Sequence, residues 1–148
     1  MALVTGDITQ HGAIVGVFVG VSQSYAAQLR VRNHPVPTPL GVRAEVDTGS
    51  FYTIFQTATL RALGLEPVRR VLVATPSTQP GQPAEADQYH VDVDLISGMT
   101  TTRLPGVLVL AADSFGEHDP AQGVIGRDIL KRCVFTYDGP ADRFQLAF

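Results

Sequence analysis

The chain has 148 residues, 45% hydrophobic and 17% charged, with a formal net charge of −3. That is enough apolar material for one domain with a real core, and residues 1–148 are read as a single domain. The slight acidity and the scatter of its eleven basic residues exclude a phosphate-tracking nucleic-acid surface. The single cysteine, Cys133, excludes an internal disulfide or a cysteine-cluster zinc site and suits a reducing, cytoplasmic compartment. The start, "MALVTGDITQ", has no basic flank and meets Asp7 before any long apolar run, so no signal peptide is expected. The most apolar stretch, "GAIVGVFVGV" at 12–21, is far shorter than the ~20 residues a membrane helix needs. Its β-branched content and alternation predict a strand with Val15, Val17, Val19 and Val21 on one face.

Past that strand, "QSYAAQLRVRNHPVPTPLG" contains Pro35, Pro37 and Pro39 and is expected to be a hairpin arm or surface loop. "GVRAEV" restores alternation, with Val42, Ala44 and Val46 opposite Arg43 and Glu45, and "FYTIF" reads as a further strand after Ser50. "TATLRALGLEP" predicts a helix capped by Thr57 and closed by Gly64 and Pro67. "RVLVAT" and "QYHVDVDLIS" are strands on either side of a proline-rich tip, and Asp92 and Asp94 read as a solvated strand face. "GVLVLAA" at 106–112 is expected to be a strand buried on both faces. "GVIGRDILKRC" ends a strand at Val124 and Ile125, turns at Gly126 and enters a short helix that carries Cys133 on its apolar side. "VFTYDGPADRFQLAF" is a hairpin with Asp138 and Gly139 in its turn. The whole predicts a mostly β domain with two short helices.

No phosphate loop, nucleophile elbow or paired-cysteine motif occurs, and the four histidines are far apart. What remains is Asp47-Thr48-Gly49-Ser50, set between two strand-like flanks. A polar turn accounts for these residue types. The apolar flanks point further, to a carboxylate whose desolvation is offset by donors, with the Gly49 N–H and the Ser50 hydroxyl at hand.

"AEVDTGSFYTIF" resembles the active-site element of aspartic proteases, and "GVIGRDIL" resembles the second half of that signature in its retroviral form. The order of elements extends the resemblance to retropepsin-like proteases, bacterial-type members included, over nearly the whole chain. It implies a closed, barrel-like acid-protease domain that is homodimeric, because one Asp-Thr-Gly copy supplies only half of a catalytic pair. It implies a soluble aspartic endopeptidase with Asp47 as the catalytic residue, needing no metal and no cofactor. Its partners would be a second copy and a protein or peptide substrate held by apolar pockets, with no nucleic acid and no membrane. Thr48, Gly49 and Ser50 would support the active-site loop, and Val124, Ile125 and Gly126 would lie behind it. Ser50, where retroviral enzymes usually have alanine, is expected to put a hydroxyl near Asp47 and to shift activity toward acid. The resemblance places a flap at 71–96, with its tip at 76–83; Tyr89 is expected to pack across strands. Retroviral enzymes pair the arginine of the Gly-Arg motif with an acidic residue, and Phe51 stands in that place, leaving Arg127 without its expected partner. The alternative function is a catalytically weak or inactive dimer of the same fold that binds peptides or serves assembly.

Overall fold

In the computed structural model, which describes residues 1–75 and 78–148, the two-residue alternation of the sequence becomes a sheet that closes on itself. Its strands are β2 (Ile14–Val21), β3 (Leu40–Val46), β4 (Ile54–Gln56), β6 (Ala84–Ser97), β7 (Thr100–Ala112) and β8 (Gly123–Ile125). They neighbour one another in the order β2-β3-β8-β4-β7-β6, and an antiparallel β2–β6 pairing, Val17 opposite Leu95 and Val19 opposite Val93, completes the ring. β5 (Arg69–Val73) extends β6 as a hairpin outside the ring. β1 (Leu3–Asp7) joins β9 (Val134–Asp138) and β10 (Arg143–Ala147) in a separate antiparallel sheet of order β1-β10-β9.

The core follows the period of the strands. Val15, Val17, Val19, Val42, Ala44, Val91, Val93 and Leu95 are buried, as are Phe55 and Ile125. From the smaller sheet, Phe144 and Leu146 turn the same face inward. Burying each large apolar side chain contributes roughly 1.5–3 kcal/mol, so one continuous core holds both sheets.

Three helices are present among the described residues rather than two. The additional one, α1 (Gln23–Val31), occupies the stretch expected to be a loop. Ser22 caps it, its hydroxyl accepting the Tyr25 N–H at 3.2 Å, and the prolines act only after its end. Pro39 then lies over Gly20, in the space a side chain there would need. α2 (Thr57–Ala62) buries Leu60 and closes at Gly64 with φ +68°, but Thr57 is its first residue and not its cap. α3 (Arg127–Leu130) is a single turn.

Three other expectations are corrected. In "FYTIF" only Ile54 and Phe55 are strand residues, since Phe51 and Tyr52 lie in a bend. β7 is not buried on both faces, with Val109 and Leu110 inside but Leu108 exposed. Asp92 is buried and not solvated. The β6–β7 register shifts between Val91 and Val93, and the N–H of Gly106, at φ +64°, donates to Asp92 Oδ1 at 2.9 Å. Such a bulge redirects one side chain relative to its neighbours. Asp94 keeps a half-exposed bidentate bond to Arg103. The β5–β6 hairpin stands where the flap is expected, although Pro76 and Ser77 of the expected tip lie outside the described residues. Tyr89 is a core residue opposite Val109, with burial as the first cause of its raised phenol pKa. Cys133 packs against the core, and its thiol, pushed up by burial, donates to the Ile129 carbonyl. No described helix is long and apolar enough to cross a membrane.

Candidate active site

β8 runs parallel to β3 and antiparallel to β4, so it passes between two strands that are consecutive in the sequence. The connection from Asp47 to Thr53 must therefore arch over the end of β8, and every feature of the site follows from that crossing. Asp47, the first residue after β3, donates its N–H to the Ile125 carbonyl at 3.0 Å. Asp47 Oδ1 accepts the Gly49 N–H at 2.8 Å. A Cβ at Gly49 would stand 3.1 Å from the same oxygen, so glycine keeps this donor close to the carboxylate. Asp47 and Ser50 are half-buried, and Thr48 and Gly49 are exposed at the tip.

Directly beneath the arch, Gly126 touches the backbone. A Cβ there would run into the Tyr52 carbonyl and come within 3.0 Å of the Ser50 oxygen. From this point the chain donates upward three times. Gly126 N–H goes to Thr53 Oγ1 at 3.1 Å, Arg127 N–H to the Ser50 carbonyl at 2.9 Å, and Asp128 N–H to the Phe51 carbonyl at 3.2 Å. Val124 and Ile125 form the strand that runs between the two arms of the arch.

Sequence reasoning missed a second clamp. The Asp128 carboxylate accepts the Thr53 N–H at 2.9 Å and the Thr53 hydroxyl at 2.7 Å, and its Oδ1 also takes the Ile129 N–H. Thr53 is fully buried, so both of its donors would be orphaned without this partner. The available signal was a threonine inside an apolar run, which cannot be buried unpaired.

Arg127 also acquires a role. Its Nη1 donates to the Thr48 carbonyl at 3.0 Å, and its guanidinium lies 5.9 Å from the centroid of the Phe51 ring. The aromatic face takes the place of the missing carboxylate as neighbour to the cation. The Ser50 hydroxyl does not do what was expected of it, since it donates to the Tyr52 carbonyl at 2.6 Å and not to Asp47. Ser50 therefore stiffens the arch. Two residues before Asp47, the Glu45 carboxyl is raised above its ordinary value, first by desolvation and then by the Asp47 charge, with His11 opposing. Among the described residues, no three His, Cys, Asp or Glu side chains gather as a metal-binding group.

The fold itself has known counterparts. A retropepsin-like aspartic protease from Rickettsia conorii aligns over 99% of this chain and 91% of its own, with a TM-score of 0.57 and 16% identity. The fold is that of the retropepsins. The retroviral protease-like domain of Ddi1 from Leishmania major aligns over 86% of this chain and 83% of its own, at TM-score 0.40 and 18% identity. The EIAV protease in complex with the inhibitor HBY-793 covers 81% of this chain and 86% of its own, at TM-score 0.38 and 19% identity. No protein-family model and no curated protein matches the chain. In the retropepsin fold described here, the arch, Gly126 and Asp47 lie together at the crossing of β3, β8 and β4.

Proposed function

We propose that the chain is an aspartic endopeptidase that works as a homodimer, each copy supplying one Asp47. The observation that carries this reading is the arch, which fixes a single carboxylate at a surface loop and gives it a backbone donor from Gly49. One carboxylate cannot be both the base that activates water and the acid that protonates the substrate. A two-fold axis at the exposed tip, beside Thr48 and Gly49, supplies the second.

Two carboxylates brought together share one proton, because both do not ionise at close range. The ionised member takes a proton from water as the oxygen attacks the scissile carbonyl, and the protonated member donates to that carbonyl as charge builds on it. The proton taken from water then passes to the amine nitrogen as the C–N bond breaks, and a hydroxyl of the tetrahedral intermediate returns its proton to the other carboxylate, so the pair again shares one proton. The Asp128–Thr53 and Arg127–Thr48 bonds hold the loop so that this geometry exists before substrate arrives. An extended peptide would bind beneath the β5–β6 hairpin by strand-like pairing. The lone Cys133 supports a reducing compartment, the cytoplasm.

The test joins sedimentation with peptide cleavage. The wild type is expected to sediment at twice the 15.8 kDa chain mass and to cleave a peptide library. Asp47→Asn is expected to remain dimeric and to lose on the order of 10²–10⁴ in rate. A strictly monomeric protein, or cleavage that survives Asp47→Asn, refutes the dyad. A dimer that binds a statine-type inhibitor but never cleaves would instead favour the peptide-binding module.

A further inference from the structure

At Glu45, two residues before Asp47 in the chain, the surface carries polar side chains. A cavity of about 450 Å³ opens between the turn at residues 8–13 and the segment 113–122, and Gln10, His11, Glu45, Phe115, Asp119 and Pro120 line it. That volume suits a side chain or small ligand rather than a single water molecule. Glu45 enters it from β3. Val42, Ala44 and Val46 point into the core, which leaves Arg43 and Glu45 on the opposite face, and Asp47 follows just past the end of the strand. At about 3.3 Å per strand residue, Glu45 stands about 7 Å along the chain from Asp47.

Glycine at position 12 makes room for this carboxylate. A Cβ there would lie 3.1 Å from Glu45 Oε1, and the backbone at φ +82° suits glycine in any case. Glu45 forms no ion pair among the described residues. The other acid of the cavity, Asp119, is occupied by the Gly116 N–H. His11 sits 3.2 Å from the Gln10 amide nitrogen. Arg43 lines the neighbouring cavity with His11 and is not paired to Glu45. The cavity thus presents one uncommitted carboxylate, a second acid behind it and a histidine, next to the carboxylate proposed to be catalytic.

We propose that this cavity is a substrate side-chain pocket that selects a lysine or arginine adjoining the scissile bond, with Glu45 as its recognition charge. The inference rests on the reading of Asp47 as the catalytic carboxylate, and it replaces the expectation of apolar pockets throughout. Glu45 is exposed in the free chain, and a peptide laid over the cavity would cover it, so an ion pair formed there is screened less than one on the open surface. Burial and Asp47 raise the Glu45 carboxyl, with His11 opposing and Asp119 and Arg43 the other charges nearby. A raised carboxyl ionises later, so the preference for a cation strengthens as pH rises and fades in acid.

Positional-scanning cleavage by the wild type, Glu45→Gln and Glu45→Lys tests this at about pH 7 and about pH 5. The wild type is expected to favour lysine over norleucine by about ten-fold or more in kcat/KM near neutrality, and by less in acid. The ratio should approach one in Glu45→Gln and invert toward glutamate in Glu45→Lys. Equal ratios in the wild type and Glu45→Gln overturn the pocket. A binding arm separates this outcome from failure of the protease reading. Calorimetry on the wild type, Asp47→Asn and Glu45→Gln would use two peptides with a hydroxyethylene isostere at the central bond, flanked by lysine or by norleucine. About ten-fold tighter binding of the lysine peptide, lost in Glu45→Gln, upholds the pocket even if no peptide is cleaved. Equal affinities, or binding of neither peptide, overturn it.

Discussion

The arch from Asp47 to Thr53 is bonded to β8 and α3 along its length, through Gly126, Arg127 and Asp128, and ends on a fully buried threonine. Among the described residues, β5 of the β5–β6 hairpin pairs with β6 and with no other strand. Its Leu72 is 67% exposed; at its base Arg69 Nε donates to buried Gln88 Oε1 at 2.6 Å, and beyond that its side-chain links include the surface pairs of Arg70 with Glu85 and Asp87 at 3.4 and 3.1 Å. Exposed ion pairs contribute about 0–1 kcal/mol, whereas an orphaned buried donor costs about 1–3 kcal/mol. The chain therefore concentrates its strong contacts where a carboxylate must keep its place. It leaves cheap ones on the strand that, under the proposed function, has to admit a peptide.

Substitutions can break that contrast. The largest effect is expected from Gly126→Ala, whose methyl has nowhere to go but the Tyr52 carbonyl. It should cost on the order of 3 kcal/mol, read as a lower urea midpoint, and should abolish cleavage as the arch shifts. Asp128→Ala comes next, at about 2–3 kcal/mol, because it orphans both donors of Thr53. Arg70→Ala should change the midpoint by less than about 0.5 kcal/mol. If Arg70→Ala proved as costly as Asp128→Ala, the hairpin would be as firmly fixed as the arch and the contrast would fail.

Legibility in the sequence divides along physical lines. The close donor that Gly49 gives to Asp47 could be read because those residue types answer a local demand; Gly126 was legible as a turn, but the backbone pressed against it was not. The strands could be read because burial on one face imposes a period of two. α1 was missed because only Ala26 of its residues is buried, so no apolar stripe announced it, although Ser22 was in place as its cap. Asp92 was misread because a bulge set by Gly106, on another strand, decides where it points. The Asp128–Thr53 clamp joins positions 75 residues apart, and no local pattern reports a partner at that distance. Ser50 was misassigned because nearness in sequence does not say which acceptor a hydroxyl meets, and the course of the backbone decides that it serves Tyr52.

The passage of β8 between β3 and β4 also orders events in time. A ribosome delivers residues 40–56 long before residues 123–128, so the two strands that flank β8 emerge with an empty slot between them. Until the last quarter of the chain arrives, the arch lacks Gly126, Arg127 and Asp128 and has nothing to rest on. Pairings this distant in sequence form late and slowly. A nascent or truncated chain consequently carries Asp47 without the contacts that hold its arch, and completion of the arch waits on synthesis of residues 123–128.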